Sequence, residues 1–175
     1  MSELVERAVA FAEKAHEQQR RKYTHERYAV HLGAVAGLVR SAGGEPEAVA
    51  AAWLHDVVED TEVELEQIER EFGAHVSRLV RELTDVSTLA DGNRAARKRI
   101  DRERMARASA EAQTVKLADL IDNARSITEH DPRFAKIYLA EMQALLEVLV
   151  SGDEHLRDSA LDTLEDCLRE IEPKG

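Results

Sequence analysis

Ala50-Ala51-Ala52-Trp53-Leu54-His55-Asp56-Val57-Val58-Glu59-Asp60 places one imidazole and three carboxylates within an apolar stretch. It reads as the end of a helix that begins near Pro46 and runs to about Val58. On a helix, residues four apart share a face, which sets His55 near Glu59 and Asp56 near Asp60. Buried carboxylates are costly unless they are paired, hydrogen-bonded or bound to a metal. A divalent cation meets that requirement for the whole group.

Helical periodicity recurs on both sides of this stretch. Leu4, Ala8, Phe11, Ala12 and Ala15 form the stripe of a first helix, with Ser2 as its N-cap. A polar, basic segment, Gln18 to Arg27, ends in a loop before a helix from about Tyr28 to Arg40. Gly43-Gly44 close that unit. Downstream, Thr61 to Phe72 is a short amphipathic helix ended by Gly73, and Val76, Leu79, Val80 and Leu83 mark another. Asp91-Gly92-Asn93 is a turn signal, and Arg94 to about Ala108 is a strongly basic helix. Asp131-Pro132 starts a long helix that Gly152 breaks off, and a last helix covers about His155 to Ile171. That C-terminal helix either closes the domain or forms a homodimer; closure is the simpler expectation. The expected fold is all-α, a compact multi-helix bundle, with residues 1–175 as a single domain.

The chain has 175 residues, 43% of them hydrophobic, which suits one domain or one with a helical appendage. The net charge of −11 repels nucleic acid polymers and anionic membranes at long range, so neither is an expected partner. A small anionic substrate remains compatible where positive charge is concentrated. Cys167 is the only cysteine, which rules out an intrachain disulfide and points to a reducing, cytoplasmic setting. No apolar run approaches the roughly 18 residues of a membrane span.

Two further ionisable residues sit in apolar helical contexts. His31 follows Tyr28-Ala29-Val30, and Asp119 lies within Val115-Lys116-Leu117-Ala118-Asp119-Leu120-Ile121. Alone, His31 reads as a core histidine, and Asp119 as a partner of Lys116 or Arg125. Together with His55 and Asp56 they offer two nitrogens and two carboxylates. That mixed set suits Mn²⁺, Fe²⁺, Co²⁺ or Zn²⁺ better than Ca²⁺. His16, His25, His75, His130 and His155 lie in more polar contexts and receive no metal role.

The order His31, His55-Asp56, Asp119 resembles the HD superfamily of metal-dependent phosphohydrolases. The closer resemblance is to the hydrolase domain of Rel/Spo-type alarmone enzymes and the free-standing small alarmone hydrolases. It rests on Gln18-Gln19-Arg20-Arg21-Lys22-Tyr23-Thr24, Tyr28 with His31, and Ala52 through Thr61. Phe72-Gly73, the stretch Asp91 to Lys98, and Val115 to Asp119 with Asn123 complete it. It spans roughly residues 5 to 150.

The resemblance implies hydrolysis of guanosine 3′,5′-bis(diphosphate) and its pentaphosphate form at the 3′ position, with one divalent metal, usually Mn²⁺. It implies His31, His55, Asp56 and Asp119 as metal ligands and Glu59 and Asp60 as the catalytic acidic pair. It implies substrate contacts from Arg21, Lys22, Thr24, Lys116 and Asn123. Which of Glu59 and Asp60 activates water stays open, and Lys116 could instead neutralise Asp119. The basic helix reads equally as a solvated face or as a source of charge for the phosphates. The family's Gly-Glu-Pro-Tyr is replaced here by His25-Glu26-Arg27-Tyr28, and Leu32 stands where proline is usual. An HD-type enzyme for another nucleotide or dinucleotide phosphate is the rival reading. A metal-retaining but idle binding module is the third.

Overall fold

The computed structural model describes residues 1–172, and among these it contains helices and no strand beyond an isolated antiparallel bridge between Arg20 and Arg27. The helices fall into two compact units, Met1–Asp85 and the chain from Val86 onward.

The first unit is built around α3 (Pro46–Leu54), which packs against α1 (Glu3–Ala15), α2 (Ala29–Ser41) and α5 (Leu65–Leu83). A helix covered on three sides needs small residues for close approach. Ala48, Ala50, Ala51 and Ala52 supply them, with Val49 and Leu54 also buried. Gly33 of α2 serves the same purpose, since a Cβ there would stand 3.1 Å from the Trp53 indole. Phe11 meets Phe72 edge-on at 5.3 Å between ring centroids, joining α1 to α5. The start signals hold: the Ser2 side chain accepts from the Val5 N–H, and Pro46 occupies the first turn of α3.

Two boundaries of the first unit differ from the sequence reading, and in the second unit the helix opened by Asp131-Pro132 ends at Leu146, short of Gly152. The helix before Gly73 starts at Leu65, not Thr61, because the Thr61 hydroxyl turns back onto the Val57 carbonyl at 2.6 Å. Gly73 does interrupt the helix, at φ +88°, but α5 resumes directly after it. The second difference falls in the acidic stretch. α3 stops at Leu54, His55 and Asp56 form a turn, and α4 (Val57–Asp60) is a separate short helix.

In the second unit, α7 (Ala110–His130), α8 (Pro132–Leu146) and α9 (Glu154–Ile171) pack pairwise against one another. Asp131 caps α8 by accepting from the Phe134 N–H. The basic α6 (Arg94–Met105) packs on α8, where Arg94 forks onto Glu141 at 2.7 and 2.9 Å and lies over the Phe134 ring. For Arg94, then, the basic helix serves internal pairing. α9 buries Leu156, Ala160, Leu164 and Cys167 against its own unit, so its apolar stripe closes that unit.

Candidate metal centre and acidic pair

His55 and Asp56 form the turn between α3 and α4, both with backbone still in the right-handed helical region. There His55 Nε2 lies 3.1 Å from Asp56 Oδ2. From α2, His31 Nε2 comes to 3.7 Å of the same oxygen. His31, His55 and Asp56 present one ligand atom each within 4.8 Å of one another, and both histidines are buried.

Hydrogen bonding fixes the chemistry of these atoms. His55 Nδ1 donates to the Ala52 carbonyl at 2.7 Å, so the neutral ring presents its Nε2 lone pair to the cluster. The Tyr28 hydroxyl donates to Asp56 Oδ2 at 2.6 Å and fixes the carboxylate. Two imidazole nitrogens and a carboxylate oxygen facing one point are electron-rich and repel one another. A proton would satisfy one nitrogen, whereas a divalent cation satisfies all three atoms. The donor set therefore fits a transition-metal dication.

The acidic pair lies one turn further on. Asp60 Oδ2 accepts from Gln19 Nε2 at 2.8 Å, and Glu59 Oε1 accepts from the Asp85 backbone N–H at 2.5 Å. Both carboxylates are exposed. Asp60 and Gln19 border an open cleft of about 890 Å³, whose other walls include Lys14, Gln18 and Gln67.

The segment around Arg21 and Lys22 folds into a tight loop. Arg21 N–H bonds to the Glu26 carbonyl at 2.9 Å, His25 N–H to that of Arg21 at 3.1 Å, and Tyr28 N–H to that of Gln19 at 3.2 Å. Thr24 donates its hydroxyl to Glu26, and Lys22 lies over the Tyr23 ring. His25 has φ +59°, so a side chain occupies the left-handed conformation where the resembling family carries glycine. His25→Gly is expected to raise stability by about 1 kcal/mol, read as a rise in the urea midpoint at unchanged slope. Leu32, where the resembling family carries proline, is fully buried, and its N–H reaches the Tyr28 carbonyl only at 3.4 Å, so either residue fits the backbone there.

Within the second unit, Asp119 is buried, and its two oxygens accept from Lys116 Nζ at 2.8 Å and Asn123 Nδ2 at 2.7 Å. Lys116, Asp119 and Asn123 are therefore one hydrogen-bonded group. Tyr138 joins it through Asn123; burial first, and the Asp119 charge second, push its phenol above the ordinary range.

Gln19 and Tyr28 stand in the stretches that carry the family resemblance but receive no role from the sequence, and His16 receives none either. His16 is followed by the polar Glu17-Gln18-Gln19, yet it is buried. The available signal was the buried stripe Val5, Ala8, Ala12, which His16 continues at the next four-residue step.

A family model described as an HD domain matches residues 8–148. A human protein named guanosine-3′,5′-bis(diphosphate) 3′-pyrophosphohydrolase MESH1 is 41% identical over 128 residues, covering 71% of this chain and 70% of that protein. A Synechocystis protein named as a probable enzyme of the same activity is also 41% identical, over 132 residues and 74% of this chain. The chain spans only 17% of that cyanobacterial relative's length. Among solved structures, one described as a metazoan ortholog of SpoT that hydrolyses ppGpp aligns at a TM-score of 0.83 and 29% identity, covering 97% of this chain and 96% of that one.

Proposed function

The chain belongs to the HD domain family, and on that premise we propose that it removes the 3′-pyrophosphate from guanosine 3′,5′-bis(diphosphate) and its pentaphosphate form. The products are GDP or GTP and pyrophosphate. The observation that carries this reading is the convergence of His31, His55 and Asp56 with Glu59 and Asp60 directly after them. The similarity to relatives named for that activity supports it.

Of the ligands, His31, His55 and Asp56 are those whose atoms converge, and Asp119 is the fourth that the family resemblance implies. The mixed nitrogen and oxygen set makes Mn²⁺ the ion we assign. Such an ion supplies Lewis acidity, lowering the pKa of water and offsetting charge on the phosphoryl group. The chain's own residues do the rest. Asp60, oriented by Gln19 at the edge of an open cleft, accepts a proton from the attacking water. The water oxygen bonds to the phosphorus carried by ribose O3′, the O3′–P bond breaks, and O3′ takes a proton from solvent to become the hydroxyl of the product. Glu59, tied to the Asp85 backbone, adds a fixed negative charge beside it. Arg21, Lys22 and Thr24 hold the nucleotide from their loop, and Lys116 and Asn123 orient Asp119 as well as meeting substrate.

We assign residues 1–175 to one functional domain. Its single cysteine, a buried free thiol, suits a reducing cytoplasm, and no described helix is long and apolar enough to cross a membrane. A homodimer would use a surface other than the buried stripe of α9.

The test is product analysis with Mn²⁺ over a panel of nucleotide phosphates. Release of GDP and pyrophosphate from the guanosine alarmone, at a kcat/KM above that for every other member, is the expected result. Preference for a different nucleotide would reassign the substrate to the rival enzyme reading. Metal binding with no turnover of any member would leave a binding module.

A further inference from the structure

His16 lies at the end of α1, buried to 3% exposure, yet it is neither a ligand nor a member of the acidic pair. Its Nδ1 is 2.6 Å from Gln19 Oε1, and Gln19 Nε2 donates to Asp60 Oδ2 at 2.8 Å. A carboxylate only accepts, so the Gln19 amide must turn its NH₂ to Asp60 and its oxygen to His16. That oxygen in turn requires a proton on His16 Nδ1. The ring also stacks on Tyr28 at 5.1 Å, and the Tyr28 hydroxyl holds Asp56. His16 thus reaches Asp60 through one neighbour and Asp56 through another.

A histidine kept only for packing would be a poor choice here. Among the described residues its buried Nε2 has no hydrogen-bond partner, a cost that an apolar ring of similar size would avoid. The position is explained by what Nδ1 does. We propose that His16 is a positioning residue that sets the Gln19 amide, and through it the orientation of the Asp60 carboxylate. This rests on the assignment of Asp60 as the proton acceptor in the proposed hydrolysis.

Three variants test it. His16→Phe keeps a ring against Tyr28 and removes the donor. His16→Asn restores a donor near the position of Nδ1. Gln19→Leu, at a half-buried site, breaks the same chain at its next link. In the Mn²⁺-loaded protein, H16F and Q19L are expected to lower kcat at least tenfold while KM for the guanosine alarmone stays within twofold, and H16N to recover most of the loss. A second readout is independent of turnover. In metal-free protein, the Gln19 side-chain amide should give a shifted, slowly exchanging NMR signal that H16F loses and H16N regains. A kcat unchanged in Q19L, or a Gln19 amide signal unchanged in H16F, overturns the proposal. If the wild type does not hydrolyse the alarmone at all, the functional reading fails separately, and the NMR comparison alone decides the role of His16.

Discussion

His55→Ala is expected to eliminate detectable hydrolysis and to strip the protein of tightly held metal. His55 contributes a nitrogen whose direction is fixed from behind by the Ala52 carbonyl, so no neighbouring group can take its place. Loss of an outer partner of a metal ligand already lowers affinity or activity by about 10–100-fold. Loss of the ligand itself should exceed that range. The fold should survive, since the substitution falls in a turn between α3 and α4 and not within a helix. Metal content after dialysis, circular dichroism and turnover on one preparation separate these effects. A fully folded H55A protein that still retains one metal ion per chain would remove His55 from the ligand set.

The second large effect belongs to Asp60. Asp60→Asn keeps the shape of the side chain and an oxygen for the Gln19 amide, but removes the proton acceptor. General base catalysis typically contributes about 10²–10⁴-fold, so kcat should fall by that order while metal binding is unchanged. Glu59→Gln should cost less, because its oxygen can still accept from the Asp85 backbone N–H and its charge is a supporting one. Comparing kcat for the two variants identifies the acceptor. A larger loss in E59Q than in D60N would exchange their roles.

The helical class and most element ends were readable because they depend on local chemistry. Ser2, Pro46, Gly73 and Asp131-Pro132 each act within a few residues, and each marks a boundary or interruption in the structure. The expected metal residues were recognisable by type and context, and three of them converge. The break at His55-Asp56 was not readable. No glycine or proline announces it, and the Asp56 side chain there meets partners far away in sequence, His31 and Tyr28. The four polar groups are divided between a turn that carries His55 and Asp56 and a short helix that carries Glu59 and Asp60. The four-residue step from Asp56 to Asp60 is kept, since the Asp60 N–H bonds to the Asp56 carbonyl at 2.9 Å. His16 escaped for a related reason: its sequence neighbours are polar, while its spatial neighbours are Tyr28 and Gln19.

The most direct test of the central claim is a metal titration read as turnover. Metal-free protein is titrated with Mn²⁺, and pyrophosphate release from guanosine 3′,5′-bis(diphosphate) is followed at each step. Activity should start from zero, rise in proportion to added ion, saturate at one ion per chain, and vanish again with EDTA. Turnover that persists in the metal-free protein, or saturated metal binding without pyrophosphate release, would contradict a metal-dependent alarmone hydrolase built on His31, His55 and Asp56.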